Sequence, residues 1–168
     1  VGSVIPSSRF LERRMVRAAG IAQADSVVEL GPGTGGTTRA ILSAMPEQAS
    51  LLAIELDPVF VDLVRGIDDK RLIVHQGSAE QIAELLSAHR LRAPKAILSG
   101  IPFSTIPPAI GTRIIEAIRD TLAPGGCFVA YQFRGAVAER ARPILGEPYV
   151  SLEMINVPPM RVYRWQKN

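Results

Sequence analysis

The segment Glu29-Leu30-Gly31-Pro32-Gly33-Thr34-Gly35-Gly36 joins a β-rich run to a helical one, the setting in which a glycine-rich turn can receive a nucleotide. Glycine allows a tight turn and lets a ligand approach the backbone with no side chain in the way. Glu55 stands twenty residues after Gly35, at the end of the next apolar run. A carboxylate there can accept both hydroxyls of an adenosine ribose, so the two features together predict an adenosine cofactor. The alternatives are an ordinary strand-to-helix turn and an exposed acid at a strand end. A dinucleotide would call for Gly-x-Gly-x-x-Gly, with its pyrophosphate on the helix start. Here the spacing is Gly31-x-Gly33-x-Gly35, preceded by Glu29. An acid beside the loop repels a pyrophosphate and suits the sulfonium and ammonium of S-adenosylmethionine.

The elements that must hold these residues alternate between two periods. Ser26–Leu30, Leu51–Leu56, Leu72–His75, Ala96–Ser99 and Cys127–Phe133 read as buried strands. Between them, helices are predicted over Thr37–Met45, from Asp57-Pro58 through Val64, over Ala79–Ala88 and over Pro108–Leu122, the last with Ile110, Ile114, Ile115, Ile118 and Leu122 at three- and four-residue spacing. Two extended runs, Tyr149–Val157 and Arg161–Gln166, flank Pro158-Pro159-Met160 and read as an antiparallel pair. This order predicts an α/β fold with a Rossmann-like sheet, mostly parallel with an antiparallel C-terminal hairpin strand and helices on both faces. At 168 residues and 47% hydrophobic content, one domain spanning 1–168 is expected.

Charge is concentrated near the start. Arg9, Arg13 and Arg17 form a stripe, and Leu11, Met15, Ala18 and Ala19 form an apolar face, so residues 1–22 are expected to hold an amphipathic helix and a lid region. The formal charge of +3 is that of the short segment carrying Arg9, Glu12, Arg13, Arg14 and Arg17, and the remainder is balanced. Such an edge suits an anionic lipid surface or a phosphate, or is simply solvated. A single Cys127 and the separated His75 and His89 offer no disulfide framework and no metal site. The apolar runs fall short of the roughly 18 residues of a membrane span, so a cytoplasmic protein is expected, with peripheral contact at the inner membrane face.

Glu29-Leu30-Gly31-Pro32-Gly33-Thr34-Gly35 and Ala53-Ile54-Glu55-Leu56-Asp57-Pro58 resemble motifs I and II of the class I S-adenosylmethionine-dependent methyltransferases. The resemblance implies a cofactor site built from Glu29, Gly31, Gly33, Gly35, Thr37, Glu55 and Leu56. It also implies Ser78 and Ala79 at the adenine and Ser99 at the end of the fourth strand. Many members carry Asp where this chain has Ser78.

In that family the acceptor lies beyond the fourth strand, here Ser99-Gly100-Ile101-Pro102-Phe103-Ser104. The loop is similar to the Asn-Leu-Pro-Phe or Asn-Pro-Pro-Tyr loop of amino methyltransferases, including the rRNA adenine dimethylases. There an Asn side chain and a proline-flanked carbonyl accept hydrogen bonds from the target amine. Gly100 stands in place of that Asn, which moves the expectation away from a nucleobase.

A likeness along nearly the whole chain is to bacterial phospholipid and ornithine-lipid N-methyltransferases. It is carried by Ile5-Pro6-Ser7-Ser8-Arg9-Phe10-Leu11, Ser99-Gly100-Ile101-Pro102-Phe103, Tyr131-Gln132-Phe133 and Asn156-Val157-Pro158-Pro159-Met160-Arg161-Val162-Tyr163. It implies methylation of the amine of phosphatidylethanolamine or a related aminolipid, with Ile101, Phe103 and Tyr131 at the reacting amine. A primary ammonium titrates near 10, so Tyr131, or solvent, is expected to assist its deprotonation. Phe103 and Tyr131 could face a methylated cation, and Arg9, Phe103, Arg134 and Arg161 could hold the lipid, the arginines at its phosphate. For the aromatics the alternative is core packing, and for the arginines surface solubility. The competing functions are an rRNA adenine N6-methyltransferase, with RNA as partner, a non-catalytic S-adenosylmethionine-binding module and, remotely, a dinucleotide oxidoreductase. Lipid enzymes of this kind usually carry a further amphipathic N-terminal helix that serves membrane docking and part of the cofactor lid.

Overall fold

The computed structural model describes residues 9–132, 135–154 and 159–168. Arg134, Phe133, the Ile5-Pro6-Ser7-Ser8 segment and Asn156-Val157-Pro158 lie outside the described residues. Val27 and Val28, adjacent in sequence, enter different apolar layers because side chains alternate across a strand. The same alternation separates Leu51 from Leu52, Leu98 from Ile97 and Val129 from Phe128, which is why these strands read as continuous apolar runs.

The chain runs α1 (Arg9–Ala18), β1 (Ser26–Leu30), α2 (Gly36–Ala44), β2 (Ser50–Glu55), α3 (Pro58–Arg65), β3 (Leu72–Gln76), α4 (Ile82–Ala88), β4 (Ala96–Ser99), α5 (Pro108–Thr121), β5 (Cys127–Gln132), α6 (Ala136–Leu145), β6 (Tyr149–Glu153) and β7 (Met160–Gln166). The seven strands lie in the order β3-β2-β1-β4-β5-β7-β6. The first five pair in parallel, and β7 runs antiparallel to both β5 and β6. The strand order reverses beside β1, flanked by β2 and β4, so the loops after β1 and β4 open side by side at one end of the sheet. That crevice is where open α/β sheets bind ligands.

Leu11 and Met15 of α1 are buried on the face shared with Ile41 and Leu42 of α2, as the apolar stripe predicts. The opposite layer holds α4, α5 and α6, with Phe128 and Trp165 stacked at 5.2 Å between ring centres. Two local readings change. Residues 79–81 form a 3-10 turn capped by Ser78, and the α-helix proper begins at Ile82. Helix α6 has no counterpart in the sequence reading, because its buried face is Val137, Ala138 and Ala141 and Pro143 interrupts its donor series. Small side chains on one face leave a weak periodic signal. Among the described residues, no helix is long and apolar enough to cross a membrane.

Candidate functional site

Gly31, Gly33 and Gly35 all take left-handed backbone angles, with φ of 68°, 56° and 90°. Their spacing follows from this turn, in which any other residue is strained. At Gly31 a β-carbon would also crowd the β4 loop, 3.2 Å from Ile101 Cγ1 and 3.4 Å from its amide nitrogen. Gly35 ends the turn as the N-cap of α2, leaving the helix start without a side-chain cap.

Glu55, at the end of β2, ties the adjacent loops together. Gly33 N–H donates to Oε2 at 3.0 Å, and the N–H groups of Leu56 and Asp57 donate to Oε1 at 2.9 and 3.1 Å. An ionised carboxylate offers about four acceptor sites, so three are occupied and one remains. Glu55 therefore cannot accept both ribose hydroxyls while it holds all three amides. It is a clamp between the glycine turn and the start of α3, with capacity for one further donor. Asp57 completes that start by accepting from Val59 N–H at 2.8 Å, ahead of Pro58 at the first turn.

Between these loops lies a cavity of about 610 Å³, within the range of small-molecule sites. Gly31, Gly33, Thr37, Glu55, Leu56, Ser78, Ala79, Ile101 and Tyr131 line it, bringing together most of the residues singled out in the sequence. Leu56, 71% exposed, offers an apolar edge for a flat ring. Ser78 is held by a capping box with Gln81, its hydroxyl accepting from Glu80 N–H at 3.2 Å. The lining also includes residues the sequence reading passed over. Ile106, Ile110 and Ile114 form an aliphatic wall, and Glu12 enters from α1. Ile110 and Ile114 carry a helical signal that reads as packing, Ile106 lies in the loop before that helix, and Glu12 reads in the sequence as one charge among arginines.

The acids set the sign of the site. Glu12, Glu55 and Asp57 line the cavity, and no Lys, Arg or His is among the described lining residues. A pyrophosphate is repelled by such a wall, whereas a ligand carrying a sulfonium and an ammonium is attracted.

Several predicted residues lie elsewhere. Gly35 turns away, toward Arg39 and Ile67. Ser99 is buried, and its hydroxyl accepts from Ile101 N–H at 3.2 Å. Arg9 and Arg161 are exposed and outside the lining. Glu29 is corrected from a ligand-facing acid to one behind the loop: it is 2% exposed and accepts from Thr38 Oγ1 at 2.6 Å. Burial pushes its carboxyl up to about 7; the Thr38 bond opposes this and the nearby charges of Glu55 and Glu12 add to it. A carboxyl whose folded pKa exceeds its ordinary 4.5 favours the fold below that value, and the benefit is lost as pH rises through about 7. Glu29→Gln is therefore expected to stabilise the ligand-free protein at pH 8 by on the order of 3 kcal/mol, and by much less at pH 5. Urea unfolding at both pH values measures the gap; a gap that does not widen with pH would show that Glu29 ionises normally.

The acceptor end is also rearranged. A β-carbon at Gly100 would stand 2.8 Å from the Gly31 carbonyl oxygen and 2.9 Å from the Tyr131 hydroxyl. The position of the missing amide is thus filled by the tyrosine, brought there by the pairing of β4 with β5. The Ile101 carbonyl accepts from Gln132 Nε2 at 2.7 Å and from Phe103 N–H at 2.9 Å. Both lone pairs are in use, so this carbonyl holds the loop in shape and has none left for a substrate amine. Phe103 is corrected from an aromatic face to a core residue: it is fully buried in the layer with Ile114 and Phe128.

No family model matches the chain. An ornithine lipid N-methyltransferase of Singulisphaera acidiphila is 28% identical over 166 residues, covering 97% of this chain and 86% of that protein. A ribosomal RNA small subunit methyltransferase A of Maricaulis maris is 37% identical over 110 residues, but the match covers 62% of this chain and only 35% of that protein. Among solved structures, N-methyltransferase NodS of Bradyrhizobium japonicum with S-adenosylhomocysteine superposes with a TM-score of 0.77 at 14% identity, over 98% of this chain and 89% of that one. An O-methyltransferase of Bacillus cereus, also with S-adenosylhomocysteine, gives 0.77 at 12% identity over 96% and 82%. The chain has the class I S-adenosylmethionine-dependent methyltransferase fold, and these likenesses support S-adenosylmethionine as its cofactor and methyl transfer as its activity.

Proposed function

We propose that this chain methylates the amine of phosphatidylethanolamine or a related aminolipid. The observation that carries the reading is the Tyr131 hydroxyl occupying the space of a side chain at Gly100. With the Ile101 carbonyl doubly bonded, the acceptor end keeps neither of the two acceptors expected of a loop built for a nucleobase amine. The likeness to the ornithine lipid enzyme also extends over most of both chains, whereas the chain spans about a third of the ribosomal RNA relatives.

S-adenosylmethionine supplies a methyl group on a positively charged sulfur. The chain's own residues align and select. The clamp at Glu55 fixes the glycine turn, the Gln132 amide fixes the Ile101 loop, and Tyr131 lines the cavity with its hydroxyl against Gly100, at the end where the amine would enter. On the outside, Phe10 is exposed beside Arg9, and Arg13 and Arg17 are exposed along the same helix, which suits the interface of an anionic membrane. Arg9 stands on that face for a lipid phosphate.

The test is incorporation of labelled methyl from S-adenosylmethionine into vesicles containing phosphatidylethanolamine or ornithine lipid, with ribosomal RNA in parallel. Label in lipid is expected. Label in RNA with none in lipid would overturn the aminolipid reading in favour of a nucleobase. Cofactor binding with no label in either would leave a binding module.

A further inference from the structure

Helix α1 reaches the cavity through Glu12, the one described residue of that helix in its lining. Leu11 and Met15, on the adjoining face, are buried against the core and fix the helix in place. Glu12 therefore enters from an anchored element and not from a loose surface turn. Its carboxylate lies over Gly36, the first residue of α2, so closely that a β-carbon at that position would collide with Glu12 Oε1. Gly36 does not need glycine for its own backbone, since it has ordinary helical geometry. The missing side chain instead makes room for the carboxylate.

We propose that Glu12 reads the charge of the bound cofactor and favours the methyl donor over its demethylated product. The inference rests on the S-adenosylmethionine reading above. The donor carries a sulfonium, an ammonium and a carboxylate, a net single positive charge; S-adenosylhomocysteine has lost the sulfonium charge and is neutral. Glu12 adds a negative charge to a wall that already holds Glu55 and Asp57 and, among the described residues, no cation. Its attraction is therefore greater for the donor, and it weakens when the methyl group has left. Burial raises the Glu12 carboxyl and the Arg9 charge opposes this, as expected for an acid set into a partly closed site. A wall of this kind assists product release without any moving part.

Calorimetric titration of the intact protein with S-adenosylmethionine and with S-adenosylhomocysteine tests this directly. Glu12→Gln keeps the shape and removes the charge. It is expected to lower the ratio of donor to product affinity by about tenfold, a value reduced for partial solvent screening. Gly36→Ala reaches the same result by expelling the carboxylate while leaving its charge in the chain, and its thermal midpoint should hold or rise because alanine favours a helix. An unchanged ratio in both variants, or an equal loss for both ligands, would overturn the role of Glu12 and assign it to packing at the α2 start. If the unaltered protein bound neither ligand, the cofactor reading itself would fail, which is a different outcome.

Discussion

Glu55→Ala is expected to weaken S-adenosylmethionine binding by roughly 30- to 1,000-fold, equivalent to about 2 to 4 kcal/mol. Two losses combine. One is the hydrogen bond that the remaining acceptor site can offer a ribose hydroxyl. The other is release of the Gly33, Leu56 and Asp57 N–H groups, which hold the cavity rim in its binding shape. Glu55→Gln separates them, because an amide keeps one acceptor oxygen but turns an NH₂ toward backbone donors. It should recover little of the affinity if the clamp dominates, and most of it if ribose contact dominates. Isothermal titration with S-adenosylhomocysteine measures both variants, and unchanged affinity in Glu55→Ala would remove this residue from the site.

Tyr131→Phe is expected to lower kcat by roughly 100-fold on the aminolipid with little change in cofactor affinity, the size of effect lost with a positioned acid–base group. The hydroxyl is the group the structure brings to Gly100, while its ring remains as packing in the variant. A drop in cofactor affinity with kcat preserved would make the hydroxyl a structural prop of the cavity. The pH profile adds a second reading. If Tyr131 shares a proton with the amine, the alkaline limb of the rate profile should move in the variant. If solvent alone removes the proton, the limb should stay where it is.

These expectations depend on neighbours that are remote in the chain. Position 100 reads in the sequence only as the lack of an asparagine; that Tyr131 fills the space follows from β4 lying beside β5 with Ser99 opposite Ala130. Likewise Ile101 offers a carbonyl in any linear reading, and only the fold shows Gln132 and Phe103 occupying it. Phe103 could have been a cage or a core residue, and burial decided for the core.

The alternation of strands and helices, the left-handed glycine turn and the acid at the end of the second strand were legible without coordinates, because each is encoded locally. Periodicity, turn stereochemistry and spacing act over a few residues, so the primary structure carries them directly. The direction in which a carboxylate points is not local. Glu29 and Glu55 both follow apolar runs, yet one is buried behind the loop on Thr38 and the other clamps the cavity rim. Glu12, an unremarked acid among arginines, becomes part of the wall because α1 packs beside α2. Helix α6 escaped notice because small buried residues produce a faint pattern, although its place against α5 is plain in the fold. The chain's order of elements and its cofactor class are thus written in short-range chemistry. Which acids meet the ligand, and what stands where the acceptor-loop amide is missing, depends on packing between elements far apart in sequence, where burial and strand order set the partners.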